Sequence, residues 1–231
     1  METLEAYQEG KVLLIDKPLN WTSFQVVNKI RWLIKQQFGI KKIKVGHAGT
    51  LDPLATGLLI LCTGKFTKKI ETYQAQVKEY TGTITLGTTT PSYDLETEVD
   101  QTFDISGITE EDIQDNTKHF IGEIQQQPPI FSALKKEGKR LYEYAREGEK
   151  VEIPKRTITI SEFEITKIDL PNVEFRAVCS KGTYIRSLAH DFGKTLNNGA
   201  HLSALRRTKI GEFSVEDALG VLEFEEAFKE N

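Results

Sequence analysis

The sequence VGHAGTLDPLATGLL, residues 45–59, joins a glycine-rich turn to an apolar run that continues as LLILCTG at 58–64. The apolar run predicts a buried strand, because it is short, uninterrupted and bounded by glycines. The turn holds one carboxylate, Asp52, directly before a proline. From Lys17 to Ile70 the chain has ten basic residues, and Asp52 is the one acidic residue among them. An acid in so basic a segment either forms a turn or takes part in chemistry.

Outward from this stretch, predicted strands and helices follow each other without regular alternation. KVLLID at 11–16 predicts a strand, and Ser23 is the predicted N-cap of a helix that ends near residue 37. The same patterns predict strands at 79–87, 157–168 and 173–179, helices at 110–119 and 184–196, and a last short helix capped by SVED at 214–217. This mixture predicts an α+β fold. No repeat or flexible linker interrupts it, so we expect a single domain over residues 1–231.

Composition predicts a soluble globular protein, with 39% hydrophobic and 28% charged residues among 231. No stretch approaches the roughly 18 apolar residues of a membrane span, and METLEAYQEG at the start has no signal-peptide character. We therefore expect a cytoplasmic protein with no membrane partner. Cys62 and Cys179 lie far apart without metal-ligand spacing, which predicts buried free thiols.

The net charge of −4 argues at first against a nucleic-acid partner. The charges are unevenly distributed, however: residues 94–115 hold nine acidic residues and no Lys or Arg, and the last twenty residues are also acidic. The negative net charge therefore does not exclude a basic surface, because the acidic residues are concentrated in other segments. The alternative, that these charge runs are only solvated faces, stays open because charge patterning discriminates weakly.

Residues 125–150 mix a diproline with six basic residues, two tyrosines and a phenylalanine. This composition predicts an RNA-gripping arm. An exposed helical hairpin whose lysines extend over apolar surface is an equally good interpretation of the same residues.

Several familiar catalytic sites can be excluded. Phe66 follows Gly64-Lys65 where a phosphate loop needs Ser or Thr, and no G-x-S-x-G elbow is present. The four histidines, at 47, 119, 190 and 201, form no i, i+4 pair and no cluster with cysteine, so we expect no metal. A two-carboxylate mechanism would need a second acid near Asp52 in the sequence, and there is none.

The chemistry open to Asp52 follows from its basic surroundings, which favour the ionised form. An ionised carboxylate is a poor general acid, but it can act as a nucleophile or orient a cation. Gly46 and Gly49 would let a substrate approach the backbone closely. The alternative is that Asp52-Pro53 is only a turn whose carboxylate bonds the local backbone.

GHAGTLDPLATGLL resembles the signature of the TruB family of tRNA pseudouridine synthases, whose motif aspartate is catalytic. Five further stretches resemble the family in the right order: LLIDKP (13–18), YTGTITLG (80–87), FSALKKEGKRLYEYAREG (131–148), CSKGTYIRSLAHDFG (179–193) and HLSALRRT (201–208). The resemblance covers about residues 10–213 and implies the pseudouridine synthase fold, a mixed, largely antiparallel central sheet flanked by helices.

The resemblance implies conversion of the uridine at position 55, in the T loop of tRNA, to pseudouridine. The base would be flipped out of the stack before it is cut, turned and rejoined. No cofactor is implied, the partner is the T arm of tRNA, and we expect a monomer. Bacterial members commonly continue into a small RNA-binding PUA domain; because this chain stops at Asn231, we expect none.

The resemblance also implies roles for individual residues. Asp52 would be the nucleophile, attacking the base at C6 or the sugar at C1′, and Arg186 would pair with it. Tyr80 would stack on the flipped base. Tyr184 and Leu205 would line the uridine pocket, His47 would occupy the space that the flipped nucleotide leaves, and Lys17 matches the motif lysine after the first strand. From the charge distribution we predict that the basic stretch 29–44, with Lys41, Lys42 and Lys44, and the arm 125–150 hold the RNA backbone.

Three alternatives remain. The chain could be a pseudouridine synthase for another RNA, which would share every catalytic residue. It could be a non-catalytic RNA-binding or chaperone module, although such a module need not keep Asp52, Tyr80 and Arg186 together. An unrelated aspartate-dependent hydrolase lacks its usual second acid or metal ligands.

Overall fold

Strands and helices follow each other irregularly along the chain, and the strands predicted at 11–16, 58–64, 79–87, 157–168 and 173–179 lie close to their predicted positions. The computed structural model describes residues 3–149 and 151–229. The helices are α1 (Leu4–Glu9), α2 (Ser23–Gln37), α3 (Ile70–Ala75), α4 (Glu110–Asn116), α5 (Leu141–Arg146), α6 (Ile185–Thr195) and α7 (Val221–Lys229). The strands are β1 (Val12–Lys17), β2 (Val45–His47), β3 (Ala55–Thr63), β4 (Lys78–Leu86), β5 (Thr88–Thr89), β6 (Gln101–Thr102), β7 (Gly122–Gln126), β8 (Lys135–Lys136), β9 (Lys139–Arg140), β10 (Arg156–Asp169), β11 (Asn172–Cys179), β12 (Ala200–Ile210), β13 (Phe213–Ser214) and β14 (Leu219–Gly220).

The contacts divide the chain into two compact units. The first unit contains Met1–Tyr80 and Leu205–Asn231, and the second contains Thr81–Ala204. Strand pairing is mixed and mostly antiparallel, which confirms the α+β class with a mixed central sheet. That the chain acts as a single domain stays a prediction.

In the first unit, β3 is the central strand. β1 runs antiparallel to β3 from Val12 opposite Cys62 to Lys17 opposite Gly57, and β2 is antiparallel to β3 as well. β14 pairs with β1, and residues 205–207 in the middle of β12 pair with β3, both in parallel orientation. The start of β3 therefore lies directly after the Asp52 turn, between β1 and β12.

Both faces of β3 are covered. Leu59 and Leu61 pack against the apolar stripe of α2, whose buried residues are Val26, Val27, Ile30, Leu33 and Ile34. Leu58, Ile60 and Cys62 point to the other face, where they pack with Ile210 and Val215. A strand buried on both sides reads as a continuous apolar run, which is why 58–64 lacks alternation. Each fully buried Leu or Ile contributes about 1.5–3 kcal/mol to stability.

In the second unit, β10 lies between its antiparallel neighbours β7 and β11. Phe163 on β10 contacts the rings of Phe120, Phe175 and Phe192, with centroids 5.6–6.0 Å apart. Because Phe192 lies on α6, this aromatic cluster anchors that helix, which has Tyr184 as its N-cap and Arg186 in its first turn.

The predicted start of α2 is wrong by one residue. Thr22, not Ser23, is the N-cap: its hydroxyl accepts the Gln25 N–H at 3.1 Å, and the Gln25 side chain accepts the Thr22 N–H at 2.7 Å. This reciprocal pair is a capping box, which a lone serine cannot form. The Ser23 hydroxyl is left to bond outside the helix.

The other local predictions mostly hold. Thr109 and Asp112 form the expected capping box of α4, and Cys62 and Cys179 are buried free thiols. Ser214 caps a single 3-10 turn, Val215–Asp217, and the last helix begins only at Val221. Within the described residues, no helix has the length and apolarity that a membrane crossing requires.

Candidate functional site

The turn that carries Asp52 is held on both sides of that residue. Leu51 precedes it, and its N–H and C=O both bond the Ser23 hydroxyl, at 2.8 and 3.1 Å. Pro53 follows it, and its carbonyl accepts the Asn20 N–H at 2.8 Å. The Asp52 carbonyl accepts the Ala55 N–H at 3.0 Å, which closes the turn. Asp52 itself is only partly buried. These bonds therefore hold its backbone in place while the residue still reaches the surface.

Lys17 supports the same turn from β1. Its side chain is fully buried, although lysine is usually a surface residue. Nζ donates to the carbonyls of Trp21 at 2.6 Å, Pro18 at 2.9 Å and Pro53 at 3.4 Å. Burial lowers the pKa of Lys17 to about 8, against the attraction of Asp52, which raises it. Lys17 is therefore both a backbone tether and the buried cation that interacts with Asp52.

His47 ends β2, opposite Leu61 of β3. Its side chain is half-buried. Burial and then the nearby charge of Arg207 lower the pKa of His47, against a contact with the Gly49 backbone. The imidazole is therefore neutral near pH 7, and it can fill space and donate or accept one hydrogen bond without adding charge.

Leu205 and Tyr80 also belong to the first unit. Leu205 lies opposite Ala55 in the parallel pairing of β12 with β3, and its carbonyl accepts the Thr56 hydroxyl at 3.4 Å. Tyr80 is buried on β4, and the carboxylate of Glu79 before it accepts the Thr208 hydroxyl at 2.8 Å. Apart from the three predicted RNA-binding lysines, the first unit thus contains five of the predicted site residues: Lys17, His47, Asp52, Tyr80 and Leu205.

Arg186 and Tyr184 belong to the second unit. The Tyr184 N–H donates to the Gln126 side chain at 2.8 Å, and the Tyr184 carbonyl accepts from it at 3.1 Å. Arg186 is buried, with Nε 3.6 Å from Oδ2 of the buried Asp94. Its Nη1 donates to the carbonyls of Phe131 at 2.9 Å and Ser92 at 3.3 Å. The start of α6 is therefore fixed, and the guanidinium with it.

Sequence reasoning missed Arg207, which is 1% exposed. Its Nε donates to the Leu58 carbonyl at 2.8 Å, and its Nη2 donates to the Gly49 carbonyl at 3.1 Å. The backbone of Arg207 also packs closely against Gly57, where an added Cβ would lie 2.3 Å from the Arg207 carbonyl oxygen. The doublet in HLSALRRT gives no signal of this role, since Arg206 beside it forms a half-exposed ion pair with Asp16.

One cavity of about 710 Å³ in the first unit is lined by the three predicted RNA-binding lysines, Lys41, Lys42 and Lys44. The same cavity is lined by four more cations: Arg31, Lys35, Lys65 and Lys68. None of the described residues that line it is acidic. A concentration of one charge sign in a concave surface attracts anions of the opposite sign, and phosphates above all.

The arm is a short hairpin, β8 with β9, followed by α5. Lys139 lies 4.4 Å from the ring centroid of Tyr144 and forms an ion pair with Glu147. Arg146 lies over the ring of Tyr142. The arm thus mixes strand and helix instead of forming a helical hairpin; Lys150, its last predicted residue, lies outside the described residues.

Two family models match the chain. Residues 35–185 match the model described as TruB family pseudouridylate synthase (N terminal domain). Residues 186–231 match the model described as tRNA pseudouridylate synthase B C-terminal domain.

Curated relatives agree with these models. The tRNA pseudouridine synthase B of Flavobacterium johnsoniae is 63% identical over 228 residues, which are 98% of this chain and 100% of the relative. That of Phocaeicola vulgatus is 56% identical over 220 residues, which are 95% of this chain and 94% of the relative.

A solved structure extends the likeness to the fold. The crystal structure of a Cbf5-Nop10-Gar1 complex contains a chain with a TM-score of 0.71 and 32% identity, matched over 95% of this chain. Our chain spans 54% of that chain's length. With both family models and full-length relatives in agreement, the chain belongs to the TruB family of tRNA pseudouridine synthases, which are isomerases.

Proposed function

We propose that this protein converts the uridine at position 55 in the T loop of tRNA to pseudouridine, with Asp52 as the nucleophile. The observation that carries the proposal is the Asp52 turn, in which both neighbours of the aspartate are tethered while Asp52 itself remains partly exposed. A reacting group has to be held in one geometry, and a fixed backbone under an accessible carboxylate meets that requirement.

The reaction needs no external electrons or energy. The N1–C1′ bond breaks, the uracil turns, and a C5–C1′ bond forms, while C5 loses a proton and N1 gains one. Asp52 would form the temporary covalent bond, to C6 of the base or to C1′ of the sugar. No cofactor enters this balance.

Arg186 would pair with the Asp52 carboxylate. A guanidinium has five N–H donors in a planar fork, so contacts with Asp94 and two carbonyls do not exhaust its capacity. Tyr80 would stack on the flipped base, and Tyr184 and Leu205 would line its pocket. His47, neutral near pH 7, would occupy the space that the nucleotide leaves.

The RNA would be held chiefly by its phosphates. The cavity lined by Lys41, Lys42 and Lys44 supports this part of the proposal, because seven cations surround it without a carboxylate among its described lining residues. The arm 125–150 would grip the T arm with its basic and aromatic side chains. We propose that the protein works as a monomer in the cytoplasm.

Mapping the product tests the substrate. Unmodified tRNA transcript is incubated with the protein, and pseudouridine is mapped by sequencing. A matched transcript with cytidine at position 55 serves as the control. Product at position 55 of the first transcript alone supports the proposal. Product only at other uridines would reassign the substrate, and binding without product would favour a chaperone.

A further inference from the structure

The Ser23 hydroxyl is bonded to the backbone directly before Asp52. It accepts the Leu51 N–H at 2.8 Å and donates to the Leu51 carbonyl at 3.1 Å. Ser23 is 2% exposed and is the first residue of α2, a helix that is itself packed on β3. A single oxygen thus fixes the position of Leu51 relative to a rigid element, since both backbone groups must face it at once.

Arg207 holds the same segment at its two ends. Its guanidinium donates to Gly49, three residues before Asp52, and to Leu58, six residues after it. Both donors lie on one planar group, so the distance between the two carbonyls is fixed by covalent geometry. Arg207 belongs to β12, whose parallel pairing sets Arg207 opposite Gly57.

A buried arginine is seldom explained by its contribution to the free energy of unfolding alone. The loss of hydration is large, and packed apolar residues of similar size often stabilise as well or better. Here the guanidinium bonds only neutral carbonyls among the contacts described above, and those carbonyls bracket the reacting aspartate. A buried guanidinium that bonds the turn at Gly49 and the strand at Leu58 is better explained by control of geometry.

We propose that Ser23 and Arg207 are positioning residues for Asp52: they hold the 49–58 segment so that the carboxylate stands in its reacting geometry without touching the RNA themselves. This inference rests on the proposed function of Asp52. It assigns a role to a serine that resembles a helix cap in sequence and to an arginine with no distinguishing pattern.

Ser23→Ala and Thr63→Val make a matched pair of variants. Thr63 is also buried, and its hydroxyl also bridges one N–H, of Lys11, and one carbonyl, of Tyr7, but at the far end of β3. Each variant removes one buried hydroxyl with the same bonding. We expect Ser23→Ala to lower kcat about tenfold with KM for tRNA within about twofold, because a small misplacement of a reacting group slows chemistry. Thr63→Val should keep the parent kcat at a similar loss of Tm.

Hydrogen exchange measured by mass spectrometry gives a readout that does not depend on turnover. Amides of 49–55 should exchange faster in Ser23→Ala and in Arg207→Lys, which cannot span both carbonyls, but not in Thr63→Val. Arg207→Lys provides the second activity test if Ser23→Ala does not fold.

Equal kcat in Ser23→Ala and Thr63→Val, or unchanged exchange of 49–55, would overturn the proposal. A parent protein that forms no pseudouridine in any RNA would instead overturn the proposed function, while the exchange data would still report on the tethers. The two failures are therefore distinguishable.

Discussion

Arg186 and Asp94 form a buried ion pair inside the second unit, with Nε 3.6 Å from Oδ2. The loop that supplies Asp94 is itself braced: the Asp94 carbonyl accepts the Thr90 hydroxyl at 2.6 Å, and its Oδ1 accepts the Glu96 N–H at 3.0 Å. Tyr93, which precedes Asp94 in the sequence, stacks its ring on that of His190 with the centroids 3.8 Å apart. The orientation of Arg186 is therefore set before any RNA binds.

Replacing Asp94 tests whether that orientation matters. We expect Asp94→Asn to lower kcat about 10- to 100-fold, because the guanidinium loses its buried counter-charge and its fixed direction. Binding of tRNA should change little. Asp100→Asn is the control, since Asp100 is an exposed carboxylate of the same loop whose Oδ1 accepts the Thr89 hydroxyl. Equal kcat in the two variants would contradict the prediction.

The low pKa of Lys17 predicts a pH dependence with two opposite trends. The protonated amine can donate to all three of its carbonyl partners, whereas the neutral amine has only two hydrogens. The single-turnover rate should therefore fall as the pH rises through about 8.

Stability should respond in the opposite sense. Because the folded-state pKa of Lys17 lies below the ordinary value of 10.5, the unfolded chain binds more protons between about pH 8 and 10.5. The contribution of Lys17 to the free energy of unfolding thus rises through that window. Both trends should disappear in Lys17→Met, followed by rapid-quench assays and urea denaturation. A falling rate that persists in this variant would assign the pH effect to another group.

The basic cavity predicts a salt-dependent grip on tRNA. The triple variant Lys41→Glu, Lys42→Glu, Lys44→Glu should weaken binding by at least about tenfold and reduce the slope of log K against log salt by about 2–3. The control variant has the same change in net charge at three exposed lysines of the second unit: Lys118→Glu, Lys167→Glu and Lys181→Glu. Filter binding at several salt concentrations compares the two. Unchanged binding in the first variant would remove the cavity from the RNA interface.

Gly57 is predicted to be irreplaceable. Its φ is +104°, and a Cβ would meet the Arg207 backbone at 2.3 Å. We expect Gly57→Ala to lower the free energy of unfolding by more than about 2 kcal/mol through strain and overpacking, and to lower activity with it. Gly107→Ala, with no atom near its added methyl, should change stability by less than about 0.5 kcal/mol. Thermal and urea unfolding measure both, and equal stabilities would contradict the account of this contact.

The elements of the fold could be predicted because their signals are local. The apolar run at 58–64 and the three- and four-residue spacing on α2 each follow from burial of one segment. The error at Ser23 shows the limit of reading one residue at a time: Thr22 and Ser23 are both good caps, but Thr22 forms the capping box with Gln25, and the Ser23 hydroxyl bonds Leu51 instead.

Candidate site residues stand out in the sequence where a motif carries them and not where tertiary bonds define them. Asp52 stands out as the one acid in a basic segment, and Lys17 stands out as the last residue of the first strand. Arg207 and Asp94 have no such mark, because their roles arise from carbonyls and a guanidinium far away in sequence. The complete burial of Lys17 likewise depends on Trp21 and Pro53 folding around it.

The central claim is that Asp52 is the nucleophile, and a matched pair of isosteric variants tests it most directly. Single-turnover formation of pseudouridine at position 55 is measured for the parent, Asp52→Asn and Asp104→Asn, the last of which alters an exposed carboxylate that bonds Ser106. We predict that Asp52→Asn loses more than about 1,000-fold in rate while it still binds tRNA, and that Asp104→Asn matches the parent. A rate for Asp52→Asn within about tenfold of the parent would contradict the account.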